Sequence, residues 1–263
     1  MKRYSFIGAG NMAYAIIGGM GDEFITVYDK NTAQYEKFGG RVKTAKTAIE
    51  AIESADYIFL AIKPQNFKEV LGEIRESGIS LQNKVFVSIA AGVKISSICK
   101  ALGCEVAVIR TMPNTPLLIG KGVTAISRNG LVSDTHLEEI KNTFAKCGKV
   151  FDLPEDKMNA VIAATSSAPA YIYYIIDCIV KEAAAQGLPD LTEAVCEMIK
   201  GSADMVQSTD KSPEELIRMV TSPSGTTERA MNVFYENGLK DIISSAMKAC
   251  TERAKELSDA LDD

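Results

Sequence analysis

The chain has no tryptophan, one histidine and no Cys-x-x-Cys pair among its six cysteines. Without that spacing, the cysteines at 99, 104, 147, 178, 196 and 250 argue against a zinc ribbon or a secreted disulfide framework and fit a reducing, cytoplasmic compartment. The lone His136 stands before Leu137-Glu138-Glu139 and reads as a surface residue entering a helix. A histidine general base and a His-rich metal centre therefore fall away as foundations for a mechanism, and no metal is expected. Basic runs and aromatic-basic interleaving are missing too, which argues against nucleic acid as a partner. Membrane segments gain no support. Met1-Lys2-Arg3 mimics the basic start of a signal peptide, but Asn11 interrupts the apolar stretch behind it. The apolar segment 160–180 contains Thr165, Ser166, Ser167, Pro169 and Asp177, so it reads as a helix buried between protein surfaces.

What is present describes an ordinary globular chain. With 263 residues, 46% hydrophobic and 24% charged, it can build one large domain or two modest ones. Charge is unevenly divided: residues 1–155 carry 19 Lys and Arg against 16 Asp and Glu, net +3, whereas residues 156–263 carry 10 against 18, net −8. Two solvated surfaces of different composition account for this, although a small anion meets less repulsion from the first half.

Short apolar runs at 4–7, 25–28, 57–62, 85–90 and 105–109 alternate with amphipathic stretches such as 66–76 and 96–102; 123–127, 134–146 and 150–153 continue the alternation. Such a pattern predicts a parallel sheet with helices on both faces. After Pro154 the strand pattern stops, and helical patterns follow at 156–164, 169–186, 191–207, 213–220 and from 225 onward. The expected fold is α/β, a Rossmann-type dinucleotide-binding domain over residues 1–154 followed by an all-α domain over 155–263 that shapes a substrate site and a dimeric core.

Phe6-Ile7-Gly8-Ala9-Gly10-Asn11-Met12-Ala13 is a G-x-G-x-x-A turn placed between a strand and a helix. The first glycine allows the tight turn, the second lets backbone approach a pyrophosphate, and Ala13 lets the helix pack closely. Asp29 follows at the end of the next strand, where an acid can accept from the adenosine ribose. Asp29 favours a free 2′-hydroxyl, while Lys30 and Asn31 can hold a 2′-phosphate, so NADPH is preferred and NADH stays open. Ala61-Ile62-Lys63-Pro64 and Ser88-Ile89-Ala90-Ala91-Gly92-Val93 lie at later strand ends, where ligands bind in such sheets, although Lys63 also reads as a solvated loop lysine. In the helical half, Thr221-Ser222-Pro223-Ser224-Gly225-Thr226-Thr227-Glu228 is either a plain capped helix start or a receptor for a small carboxylate.

These motifs, together with Ile109-Arg110-Thr111-Met112-Pro113-Asn114-Thr115-Pro116 and Ala168-Pro169-Ala170-Tyr171, resemble those of the pyrroline-5-carboxylate reductase family, from Phe6 to beyond Glu228. The resemblance implies hydride transfer from NADPH or NADH to the C=N bond of a cyclic imine carboxylate, forming L-proline, in a homodimer or an assembly of dimers. It implies that residues 7–12 and 61–64 contact the cofactor and that Ala91 lies on the nicotinamide side. It further implies that Ser222, Gly225 and Thr226 hold the substrate carboxylate, that the Thr227 hydroxyl meets the ring nitrogen, and that Glu155 stands near the substrate amine. Ser224, Ser166 and Ala168 occupy positions where the family usually has glycine, and Ala48 stands where many members have asparagine. A Cβ is costly at any of the glycine positions whose backbone needs a positive φ. These departures leave two other readings open, a related imine or hydroxyacid reductase and a dinucleotide-binding inactive paralogue with a regulatory role.

Overall fold

Among the described residues of the computed structural model, 2–21 and 23–262, eight strands form one sheet. Met1, the start of the signal-like stretch, lies outside them. The strands are β1 (Arg3–Ile7), β2 (Phe24–Tyr28), β3 (Lys43–Thr44), β4 (Tyr57–Leu60), β5 (Val85–Ser88), β6 (Ala107–Met112), β7 (Gly122–Arg128) and β8 (Gly148–Asp152). Their spatial order is 3-2-1-4-5-6-7-8, and every pairing is parallel except that of β6 with β7. The first six strands thus have the doubly wound order, with its switch point between β1 and β4.

Alternation along each strand divides the core. Phe6, Phe59, Val87 and Ile109 face one way and pack with Ile16, Ile17, Ile140 and Phe144 from the helices Asn11–Gly19 and Asp134–Ala145. Ile7, Ile58, Phe86 and Val108 face the other way, against Ile52, Leu71, Ile74 and Ile98 from the helices Ala48–Glu53, Phe67–Ser77 and Ile95–Leu102. Burial on both faces explains why β4 and β5 read as unbroken apolar runs. Each large side chain so buried contributes about 1.5–3 kcal/mol of hydrophobic stabilisation.

The chain forms two compact units. One comprises residues 1–169 with 249–263, the other residues 170–248. Strand pattern ends at Asp152, as the sequence predicts, but the first unit runs past the expected boundary at 154. Met158 and Ile162 pack with Met112 and Ala125 of β6 and β7, and Ala254 from the far end of the sequence joins them. The expected helix 156–164 is three short pieces: a 3-10 turn at Glu155–Lys157, an α-turn at Met158–Val161 and a π-turn at Ile162–Ser166.

In the second unit the helices include Thr192–Ser208, Pro213–Val220 and Thr226–Glu236, and the pattern from 225 onward is interrupted at Asn237-Gly238 before the helix Leu239–Asp262 begins. Ser212 and Glu215 form a reciprocal capping box at the start of Pro213–Val220. Val195 is the one buried residue described within this unit. Large apolar side chains remain open, including Tyr174 (71%), Val220 (67%) and Tyr235 (65%). The helix Ala168–Ala185, expected to be buried between protein surfaces, buries no residue within the single chain. No described helix is long and apolar enough to cross a membrane.

So much uncovered apolar surface calls for a second copy. Sedimentation at low micromolar concentration is expected to show a dimer or larger assembly, with Tyr174→Asp combined with Tyr235→Asp shifting mass toward the monomer. A stable wild-type monomer would contradict this expectation.

Candidate active site

A close backbone approach lies where β1 turns into the helix Asn11–Gly19. Gly8 has φ +105°, and a Cβ there would fall 2.4 Å from the Ala61 carbonyl oxygen at the end of β4. Any other residue would be both strained and obstructed. Gly8 N–H donates to Tyr28 O at 2.7 Å, and Ala61 N–H donates to Ile7 O at 2.8 Å, so the ends of β1, β2 and β4 are held together. Gly10 differs, since a Cβ there would meet nothing within 4 Å; its bareness keeps space open above the helix start. No side chain caps that helix, which leaves backbone N–H groups directed at the space.

Over these strand ends lies a cleft of about 510 Å³. Ile7, Gly8, Gly10 and Asn11 form its floor at the turn; Asp29, Lys30 and Asn31 line it from the end of β2, and Ala61, Ile62 and Lys63 from the end of β4. Tyr28, Gln34, Asn66 and Val70 line it as well, although sequence reasoning did not select them. Asn66 and Val70 follow the Lys63-Pro64 corner closely enough that helical spacing from it was the available signal. Ala9, Met12, Pro64 and Ala91 are not part of this lining. Ala9 is fully buried. An elongated, phosphate-bearing ligand fits this cleft, because the open helix start supplies donors and Gly10 offers no steric barrier.

Asp29 has a role that the sequence did not disclose. Its Oδ2 accepts from Ala9 N–H at 2.7 Å and its Oδ1 from Asn31 N–H at 2.8 Å. Both carboxylate oxygens therefore hold backbone, one pinning the glycine turn and the other the entry to the next segment. Lys30 is paired with Glu69 at 2.6 Å, both side chains being exposed. Asn31 accepts from Ala33 N–H and caps the 3-10 segment Thr32–Phe38.

Elsewhere in the first unit, His136 enters the helix Asp134–Ala145, as expected. It is half-buried, and its Nδ1 lies 2.8 Å from the Tyr57 hydroxyl. Asn114, from the Met-Pro-Asn-Thr-Pro stretch, accepts from Val123 N–H and donates to Thr165 O, tying the β6–β7 connection to the π-turn. Glu155, expected near the substrate amine, accepts through Oε1 from Ile95 N–H at 2.7 Å and lies 3.5 Å from the buried Arg110 guanidinium. Burial pulls the Arg110 pKa below its ordinary value, and the Glu155 carboxylate opposes that shift.

In the second unit, residues 222–225 form a tight turn, with Gly225 N–H donating to Ser222 O at 3.0 Å. Pro223 precedes Ser224, whose φ is +59°, the left-handed arrangement that a type II turn requires at its third position. Ser224 N–H donates to Glu228 Oε2 at 2.8 Å. Gly225 then starts the helix Thr226–Glu236 without a side-chain cap, and a Cβ at Gly225 would fall 2.4 Å from Ser222 Oγ. Ser222 and Thr226 are exposed and Thr227 is half-buried, so the helix start presents hydroxyls beside uncapped N–H groups. Of the three departures at glycine positions, Ser224 alone has a positive φ; Ser166 lies in the π-turn and Ala168 begins a helix.

Two substitutions test these local arguments. Asp29→Asn removes an acceptor from at least one of the two backbone bonds and is expected to lower stability by about 1–3 kcal/mol, read from urea unfolding. Ser224→Gly relieves the left-handed strain of a residue bearing a Cβ and is expected to raise stability by roughly 0.5–1 kcal/mol in the same measurement. A drop in stability would show that the serine side chain supports the turn.

The family description "Pyrroline-5-carboxylate reductase dimerisation" matches residues 155–257, and "NADP oxidoreductase coenzyme F420-dependent" matches residues 3–92. The pyrroline-5-carboxylate reductase of Escherichia coli (strain K12) is 36% identical, over 98% of each chain. The solved 1-pyrroline-5-carboxylate reductase of Streptococcus pyogenes superposes with a TM-score of 0.90 at 27% identity, covering 97% of this chain and 98% of that one. The pyrroline carboxylate reductase of Plasmodium falciparum, solved with NADP bound, superposes with a TM-score of 0.88 at 26% identity over 98% of each chain. With a relative this similar along nearly its whole length, the chain belongs to the pyrroline-5-carboxylate reductase family.

Proposed function

We propose that the protein reduces 1-pyrroline-5-carboxylate to L-proline, with NADPH as the preferred cofactor and NADH as the alternative. The observation that carries this reading is the Ser222–Thr227 turn and open helix start, in a chain whose family membership extends along its full length. Bound in the cleft of the first unit, NADPH supplies a hydride for the carbon of the C=N bond. The N–H groups at the start of the Asn11–Gly19 helix hold its pyrophosphate, and Gly10 leaves room for that approach. Lys30 and Asn31, at the rim, receive the 2′-phosphate, with Lys30 exchanging Glu69 for the stronger anion. Asp29 acts by holding both backbone segments in place, a role compatible with either nicotinamide cofactor.

The substrate carboxylate is received by Ser222, Gly225 and Thr226. Backbone N–H groups at the Thr226–Glu236 helix start fix its position, which limits the ring to few orientations. Thr227 donates its hydroxyl to the neutral ring nitrogen and relays to it a proton taken from water, then accepts from the iminium N–H so formed. A protonated imine is a good hydride acceptor, so no strong acid is needed, and a chain with one histidine can carry out the step. Glu155 stands near the substrate amine, held by the bonds of its Oε1 to Ile95 and Arg110. Assembly through the 155–257 region as a homodimer or a set of dimers covers the apolar side chains left open on the single chain. A reducing cytoplasm suits its six free cysteines.

Thr227→Val tests the mechanism. NADPH affinity is expected to stay near wild type while turnover falls, since one transition-state hydrogen bond is worth about 1–3 kcal/mol. Unchanged turnover would remove Thr227 from the site, and a wild-type protein that oxidises neither NADPH nor NADH with pyrroline-5-carboxylate would overturn the activity itself.

A further inference from the structure

We propose that Arg110 is a positioning residue for hydride transfer, fixing the segment between β5 and the helix Ile95–Leu102 through Glu155 on one side and Asn159 on the other. The inference rests on the reading of that segment, through Ala91, as the nicotinamide side of the cofactor site.

Arg110 projects from β6, and its side chain is only 1% exposed. A guanidinium buried this deeply is retained against a heavy desolvation penalty, so its partners indicate its role. Nη2 donates to Asn159 Oδ1 at 2.6 Å and Nη1 lies 3.5 Å from Glu155 Oε1. Nε has no partner among the described residues. The guanidinium is therefore organised around two side chains rather than around saturation of its own donors.

Each of those side chains continues to the same short stretch of backbone. Glu155 Oε1 accepts from the N–H of Ile95, the first residue of its helix, where Lys94 provides no side-chain cap. Asn159 uses Oδ1 for Arg110, which turns Nδ2 toward Ser258 Oγ, 3.4 Å away. Ser258 Oγ in turn donates to the Gly92 carbonyl. Gly92 has φ +77°, and a Cβ there would lie 2.8 Å from the Ala254 carbonyl, so this backbone rests directly on the helix that carries Ser258. Both anchors of the segment, at Gly92 and at Ile95, thus lead back to one cation on β6.

This arrangement has a kinetic consequence. Hydride transfer depends steeply on donor–acceptor placement, and a small displacement by a residue remote from the chemistry can lower rate by one or two orders of magnitude. Loss of the anchor should therefore slow transfer while sparing the adenosine half of the cofactor site, which rests on the Gly8–Asn11 turn and Asp29.

The test compares wild type with Arg110→Lys and Ser258→Ala. It reads amide hydrogen exchange across residues 92–95, affinity for 2′-phospho-ADP-ribose, and turnover with NADPH or NADPH deuterated at the transferred position. Exchange across residues 92–93 is expected to quicken in both variants and exchange at Ile95 in Arg110→Lys, with affinity for the fragment staying within about twofold. Turnover should fall on the order of tenfold, with a larger deuterium effect. Wild-type exchange and turnover in folded Ser258→Ala would overturn the proposal, as would loss of fragment affinity in step with turnover. If Arg110→Lys does not fold, Ser258→Ala decides by the same criteria. A wild-type protein that binds the fragment yet reduces no imine overturns the functional reading and this inference with it; active wild type with unperturbed variants overturns this inference alone.

Discussion

The contact between Gly8 and the Ala61 carbonyl governs the geometry of the first unit. At the switch point, the chain leaves β1 in one direction toward β2 while β4 ends on its other side, so the turn must emerge against the end of a neighbouring strand. A residue without a Cβ at φ +105° permits this. With the turn lying flat, the following helix starts close over the sheet, Ala13 on its inner face is buried, and uncapped N–H groups face the cleft. Asp29 then fixes the arrangement from β2 through its bonds to Ala9 and Asn31. The donors facing the cleft are thus a product of backbone placement, with Lys30 and Lys63 among the side chains that line it.

The helices Asn11–Gly19 and Thr226–Glu236 both start without a side-chain cap, on different electrostatic backgrounds. Residues 1–155 carry a small positive excess and residues 156–263 a strong negative one. A carboxylate approaching the Ser222–Thr227 turn does so against the net field, which makes the uncapped helix start the principal attraction available to it. Glu228 adds a negative side chain in the first helical turn, but its Oε2 is engaged by Ser224 N–H and holds the turn closed. Ser224 shows that a family glycine position can carry a Cβ and still adopt the left-handed backbone the turn needs.

Much of this was legible in the sequence because its signals are local. Strand alternation, the glycine turn and the helix start after Pro223 all lie within windows of a few residues, and the cleft lining recovers most of the residues those windows pointed to. The two-residue strand Lys43–Thr44 and the short helix Ala48–Glu53 carried no periodicity long enough to detect. Side-chain roles that depend on distant partners were hidden for a different reason. Glu155 meets Ile95 and Arg110, His136 meets Tyr57, and Asp29 turns back to Ala9; none of these pairings has a sequence spacing that reports it. The boundary near 154 marked the end of strand pattern, yet Ala254 and Ser258 look like any positions of an amphipathic helix until they are found packed in the first unit.

The return of residues 249–262 to the first unit also bears on the order of events during synthesis. The sheet and the glycine turn are complete once β8 has emerged from the ribosome, but the Gly92 carbonyl then lacks its Ser258 donor until about a hundred more residues have followed. During that interval the nascent chain can form the Gly8–Asn11 side of its cleft while the Gly92–Ile95 segment rests on core packing and on Glu155 without its Ser258 bond. The dinucleotide unit thus matures in two stages, and its second stage waits for a helix encoded about a hundred codons after its last strand.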